Sequence, residues 1–362
     1  MASVPPEVAR VLQQAVSREH GSSPRRHHYV PRFYLVRFSD QKGRLAAYDR
    51  TTRKLISARP EQLGFERDFY RLPENAGLPK YFLEEVLSLQ EEAAAIAIDN
   101  VCRAGIVADK DRLTLAMHIA MQILRTPNTR RTVGESAEWS ASIFAQIELG
   151  RRLEAGEFSA DERELAEQAI KQLEDGSVRV GPAEDARVGI ALTAFAEILE
   201  HLLGSWTWLV VLLSQPRFIT TDQPVIMLGE PEPGSAATNV GVATALEIWF
   251  PLDPRRALVL TRAKRVVSPL LGLGDAHVRL INVRLALESA RWIFYRPGTD
   301  PLRGLQVPID PPKWFSRTIG YRDHPNGQVG EIIQTGVERP RVPNERLLSG
   351  RLLRAFRKFN TG

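Results

Sequence analysis

The sequence predicts an α+β fold. A mixed or antiparallel sheet is built from strands lying on both sides of an inserted helical block. Three observations lead there. Strand-like runs occupy residues 43–72 and return at 206–295, whereas apolar residues recur at helical spacing between about 79 and 203. Strands and helices segregated in this way argue against a doubly wound parallel sheet, in which they would alternate. A chain of 362 residues, 43% hydrophobic and 25% charged, has enough apolar material for a large core and an ordinary globular composition.

The elements follow in chain order. Residues 5–18 read as a short helix, with Val8, Val11, Leu12, Ala15 and Val16 at helical spacing, and Gly21-Ser22-Ser23-Pro24 ends it. Residues 43–50 and 54–57 read as two strands joined by a turn, with a third strand expected at 69–72. Breaks in the helical block are expected at Gly105, Pro127 and Gly156 and in the loop from Gly176 to Pro182. Further strands are expected at 206–213, 218–220, 225–228, 248–251, 257–261 and 292–295, with one helix at 275–291 among them. Residues 297–343, with eight prolines and little periodicity, read as an extended arm, and 345–359 as a basic amphipathic helix. The organisation is therefore an N-terminal helix and linker (1–24), an α+β core (25–296) and a proline-rich basic tail (297–362). No internal repeat is visible.

Charge is uneven along the chain. Residues 1–60 hold 12 Lys/Arg against 4 Asp/Glu, a net of +8, and residues 303–362 hold 11 against 5, a net of +6. The stretch between them is acidic, at −9. Basic ends either attract a polyanion such as nucleic acid or dock on the acidic body. One cysteine, Cys102, excludes a disulfide within the chain and fits a reducing, cytoplasmic setting. The N-terminal residues show no secretory pattern, and the longest apolar run, 206–213, is far short of the roughly 20 residues that span a bilayer. No membrane role is expected. The phosphate loop, the dinucleotide-binding glycine pattern, the paired-cysteine and HExxH metal motifs and the GxSxG elbow are all absent.

The densest run of chemically versatile residues is Arg25-Arg26-His27-His28-Tyr29-Val30-Pro31-Arg32-Phe33-Tyr34-Leu35. Histidine titrates near neutrality and ligates metals, so adjacent histidines beside a fixed-geometry proline mark a candidate site, or else a basic strand edge. Three later segments, Asp68-Phe69-Tyr70, Arg125-Thr126-Pro127 and Thr220-Thr221-Asp222-Gln223-Pro224-Val225, complete a set of four short motifs. In this order they resemble the bacterial domain of unknown function 4238 family over roughly residues 25–296. The resemblance implies no activity, but it directs attention to the residues within the motifs.

Three places carry candidate chemistry. In the helix at 81–101, Glu84 and Glu91 lie seven residues apart on the edge of the apolar stripe, where they could hold a divalent metal or frame a core helix in solvent. In the helix at 111–125, His118, Gln122 and Arg125 form a row opposite Leu113, Met117, Ala120 and Leu124. That row suits an anion, or is an exposed polar face. Asp222 follows a strand end ahead of Pro224, a position for a catalytic carboxylate or for an Asx turn. The resulting expectation is a metal-dependent phosphodiesterase or nuclease. His28, with His27 and Asp222, would do acid–base work, Arg32, Arg125, Gln122 and His118 would hold substrate, and Glu84 and Glu91 would hold metal. The alternative is a non-catalytic polyanion-binding or protein-interaction module.

Overall fold

The computed structural model describes residues 6–17, 26–71, 81–183, 186–204, 206–229, 240–263, 270–271, 273–323 and 329–338. The expected α+β segregation is present, and strands from both sides of the helical block share one sheet. Strands β1 (Arg26–His28), β2 (Leu45–Asp49), β3 (Lys54–Ala58) and β4 (Phe65–Arg67) precede the block, with the short helix α2 (Arg32–Val36) following β1 and α1 (Pro6–Ser17) preceding it. The block comprises α3 (Phe82–Ala104), α4 (Asp109–Leu124), α5 (Pro127–Glu154), α6 (Ala160–Glu174), α7 (Ala186–Thr193) and α8 (Phe195–Leu203). After it come β5 (Thr207–Leu212), β6 (Thr220–Thr221), β7 (Ile226–Leu228), β8 (Glu247–Asp253), β9 (Arg256–Thr261), β10 (Leu270–Leu271), α9 (Asp275–Glu288) and β11 (Trp292–Tyr295). The last described elements are β12 (Lys313–Asp323) and β13 (Val329–Glu338).

The four-stranded sheet runs β3-β2-β11-β6, so β11 pairs antiparallel with β2 across some 240 residues of sequence, Phe294 facing Ala47. The five-stranded sheet runs β10-β5-β9-β8-β7 and is antiparallel except at the β10–β5 edge. Alternation along these strands feeds two cores. Trp208, Val210, Ile248, Phe250, Leu258 and Leu260 join the core shared with α3, α4 and α8. Leu209, Val211, Trp249, Ala257 and Val259 join the core closed by α9. Strands buried on both faces read as near-continuous apolar runs, which is why the sequence shows no polar alternation there.

Local chemistry places the helix ends where the sequence breaks. Helix α3 stops because Gly105 adopts φ +71°, a left-handed C-cap whose N–H bonds Val101 O at 2.8 Å. Pro127 occupies the first turn of α5, with Thr126 Oγ1 accepting from the Thr129 N–H at 3.3 Å. Ser159 and Glu162 form a reciprocal cap on α6.

Two expectations change. The third N-terminal strand is 65–67, not 69–72, because Asp68 takes φ +55° and turns the chain before Phe69. The proline-rich arm contains the β12–β13 hairpin, paired from Lys313↔Glu338 to Asp323↔Val329. Pro311 and Pro312 precede its strands rather than interrupt them, so proline content hid the apolar residues Trp314, Phe315, Ile332, Ile333 and Val337. The basic helix expected at 345–359 lies outside the described residues. No helix among the described residues is long and apolar enough to cross a membrane.

Candidate functional site

Pro31 ends the first motif's extended part and starts α2, while the N–H groups of Tyr29 and Val30 both donate to Gly64 O, at 2.9 and 3.2 Å. This staples the histidine pair to the chain entering β4. In the β1–β4 ribbon His27 pairs with Glu66 and His28 with Phe65, so the two histidines face opposite sides. His27 points inward and is fully buried. Its Nδ1 accepts the Tyr70 N–H at 2.8 Å, and its ring stacks on Tyr70 at 5.6 Å. The second motif thus closes on the first.

His28 faces the other way, with Arg26 and, across the ribbon, Phe65 and Arg67. Its ring packs on Phe65 at 5.6 Å, and Arg26 lies over the same Phe65 ring at 5.1 Å. His28 Nε2 is shielded from solvent and has no hydrogen-bond partner among the described residues. Burial, then the nearby positive charges of Arg32 and Arg125, lower its pKa, so the ring is neutral at pH 7. Arg32 is largely exposed and pairs with Glu61 at 2.8 Å.

The row on α4 is not an exposed polar face. Residues 115–124 are buried all round, and His118, Gln122 and Arg125 are 0%, 0% and 2% exposed. Each therefore needs internal partners. Arg125 Nη1 donates to Glu91 Oε1 at 2.6 Å. The Gln122 amide oxygen, in the orientation that satisfies both groups, accepts from Arg125 Nε at 2.6 Å and from Nη2. The Tyr70 hydroxyl also bonds Arg125 and donates to His28 O at 3.3 Å. His118 Nδ1 meets Gln90 Oε1 at 3.0 Å, and Gln90 Nε2 donates to Thr114 O at 3.3 Å. His118 Nε2 has no partner among the described residues, and burial holds the ring well below the usual imidazole pKa.

Of the two glutamates expected to hold metal, only Glu91 has a direct tie to the cluster. Glu91 is bonded to Arg125, and among the described residues no group of three His, Cys, Asp or Glu converges as a cation would require. Glu84 instead becomes an unusual acid. Burial, reinforced by the negative charge of Glu91, raises it to about 7 despite the opposing Arg125. Arg125, its donors turned to Glu91, Gln122 and Tyr70, is a buried tie rather than an accessible phosphate clamp.

Asp222 is held by backbone donors. It is fully buried, its Oδ1 accepting from Ala290 N at 2.8 Å and its Oδ2 from Arg291 N at 2.7 Å and Trp292 N at 2.8 Å. Burial raises its pKa to about 6 against the pull of these three N–H groups. The carboxylate fixes the chain where α9 hands over to β11. Its neighbour Thr220 meets the Tyr34 hydroxyl at 2.7 Å, and that hydroxyl donates to Pro251 O, also at 2.7 Å, which links the first and fourth motifs.

Glu91 and Gln122 thus bond the buried Arg125 guanidinium, His28, Glu84 and His118 lie in its field, and His27 packs on Tyr70, while Arg32 stands at the surface and Asp222 is bound to backbone. A family model described as "Protein of unknown function (DUF4238)" matches residues 26–299, from β1 to just beyond β11. The chain belongs to the DUF4238 family. No curated protein and no solved structure matches it. The DUF4238 match contains all four motifs and the Arg125 cluster, and leaves α1 and the β12–β13 hairpin outside. Tyr70 belongs to the second motif, whereas Gln90 lies in none of the four. Gln90 carried a signal, since it interrupts the α3 core stripe of Leu83, Val86, Leu87, Ala94 and Ala97 with an amide.

Proposed function

We propose that this DUF4238 protein hydrolyses phosphodiesters, nucleic acid foremost, by acid–base catalysis that does not route through a metal held by Glu84 and Glu91. The observation that carries the reading is His28 Nε2: a shielded, unpartnered nitrogen on a neutral ring, on the ribbon face that carries Arg26 and Arg67 and in the field of Arg32. An anionic substrate placed by those arginines brings what the nitrogen lacks, a hydrogen-bond donor in the form of a nucleophilic water. The water oxygen forms the new bond to phosphorus as His28 takes its proton, and the bond to the leaving oxygen breaks as that oxygen receives a proton. Glu84, half protonated near neutrality, supplies that proton.

A second reading has its own support. Arg26 and Arg67 face each other directly across the ribbon, and like charges so placed destabilise a strand pair unless an anion joins them. This fits a surface that grips phosphate without turnover. Incubating the protein with RNA and DNA in a chelator, and separately with Mg²⁺ or Mn²⁺, tests both. The proposal predicts cleavage that survives the chelator and is lost in His28→Ala. Salt-sensitive binding without cleavage would leave the second reading, and cleavage abolished by the chelator would overturn the metal-free mechanism.

A further inference from the structure

Beside α5 lies a cavity of about 570 Å³, within the usual range for small-molecule sites, and none of its lining residues belongs to the Arg125 cluster. Helix α5 presents Glu135, Glu138 and Trp139 to it, α6 ends beside it with Glu174, and β12 contributes Trp314 from beyond the residues that the family model matches. Residues 135 and 139 stand one helical turn apart on the same face. The two indole rings are 5.8 Å apart at 52°, an open wedge rather than a closed stack.

The charges around the wedge are unequal. Three carboxylates face one guanidinium, that of Arg179, which is exposed and forms no ion pair among the described residues. Glu138 is taken by Arg187 at 2.5 Å. Glu135 has only a loose contact, Oε1 lying 3.9 Å from Arg131 Nε, because Arg131 Nη2 bonds Asn128 Oδ1 and Pro312 O instead. Glu135 Oε2 is shielded from solvent and has no donor among the described residues. A shielded carboxylate oxygen without a donor is destabilising unless something arrives to satisfy it.

We infer that this cavity binds a protonated alkylamine, with its N-alkyl groups against Trp139 and Trp314 and its N–H donated to Glu135 Oε2. An angled pair of indoles presents negative π faces to a rounded, weakly hydrated cation, whereas a flat guanidinium would favour parallel walls. Ile143 and Leu173 complete the lining with apolar surface suited to the alkyl part. The same head group exists on a free small amine and on a methylated lysine side chain.

Calorimetric titration of the full chain with three probes of one shape decides the matter: protonated N,N-dimethylethanolamine, choline, which lacks the N–H, and the uncharged 3,3-dimethylbutanol. The expected order is dimethylethanolamine, then choline, then the alcohol, with the alcohol at least about tenfold weaker than the amine. Glu135→Gln should weaken the amine about tenfold and leave the alcohol unchanged, and Trp314→Phe should weaken both cations. Melting temperatures and phosphodiester cleavage should stay at parent values, which separates this site from the Arg125 cluster. A peptide carrying dimethyllysine that binds tighter than the free amine assigns the cation to a polypeptide, and the reverse assigns it to a free metabolite. Equal binding of the alcohol and the amine, or no saturable binding of any probe, overturns the inference.

Discussion

At Asp222 the carboxylate is tied to backbone. Three backbone N–H groups converge on its carboxylate in a fully buried site. Asparagine offers one oxygen and two donors there, so Asp222→Asn leaves N–H groups unmet, and it should destabilise the protein by about 2–4 kcal/mol in denaturant titration. A parent-like midpoint with lost cleavage would instead return Asp222 to the chemistry. Glu84 makes the opposite prediction. Its carboxyl is raised from 4.5 to about 7 in the fold, so the folded state holds a proton that the unfolded chain releases. Stability from this group is therefore full below pH 4.5 and declines as pH rises through about 7, by at most about 3 kcal/mol. Glu84→Gln should melt higher than the parent at pH 8 and gain nothing at pH 4, while cleavage falls about 10²–10⁴-fold. A stability gain independent of pH would show that Glu84 is not titrating in that window.

Among the elements, the ribbon turn before β4 holds His28 in place through one residue. Gly64 has φ +65°, its carbonyl receives two N–H groups from the histidine motif, and a Cβ there would lie 3.2 Å from Val30 Cβ. Gly64→Ala should cost about 1–3 kcal/mol and disturb cleavage in the same variant, whereas a surface glycine with open space such as Gly43 should tolerate alanine for cleavage. Helix and strand identities were legible where period and breakers agreed: Gly105, Pro127 and Gly156 mark helix ends, and 292–295 is the strand expected. The polar row of α4 was visible as a row, but its burial was not. Whether a face meets solvent depends on what packs there, and α4 is covered by its neighbour α3 together with α8 and, over His118, by Phe33 and Phe250 from far along the chain. The β12–β13 hairpin was missed because proline content outweighed a few apolar residues that follow no clear period. The third strand shifted because a left-handed Asp68 is not announced by composition.

At the scale of the whole molecule, the shared sheet explains why the site was only partly readable. Strand β11 reaches β2 across the inserted block, and Tyr34 reaches Thr220 and Pro251 across some 200 residues, so motifs far apart in sequence become one structure. Sequence order and polar character placed the histidines, the two glutamates and the α4 row under suspicion, and these gather around Arg125. Three-dimensional pairing ties Glu91 and Gln122 to Arg125, and the proposed chemistry falls to His28 and Glu84. The basic first sixty residues place Arg26 and Arg32 at exposed positions close in sequence to the histidine motif, where a polyanion would be drawn.

The most direct measurement is the pH dependence of phosphodiester cleavage in the presence of chelator, for the parent and for His28→Ala. The account predicts a bell-shaped profile, rising as His28 loses its proton below its ordinary value of 6.5 and falling as Glu84 loses its own near pH 7, with the optimum therefore slightly acidic and no activity left in His28→Ala at parent-like stability. Cleavage that keeps rising beyond pH 8, or persists undiminished in His28→Ala, would contradict it.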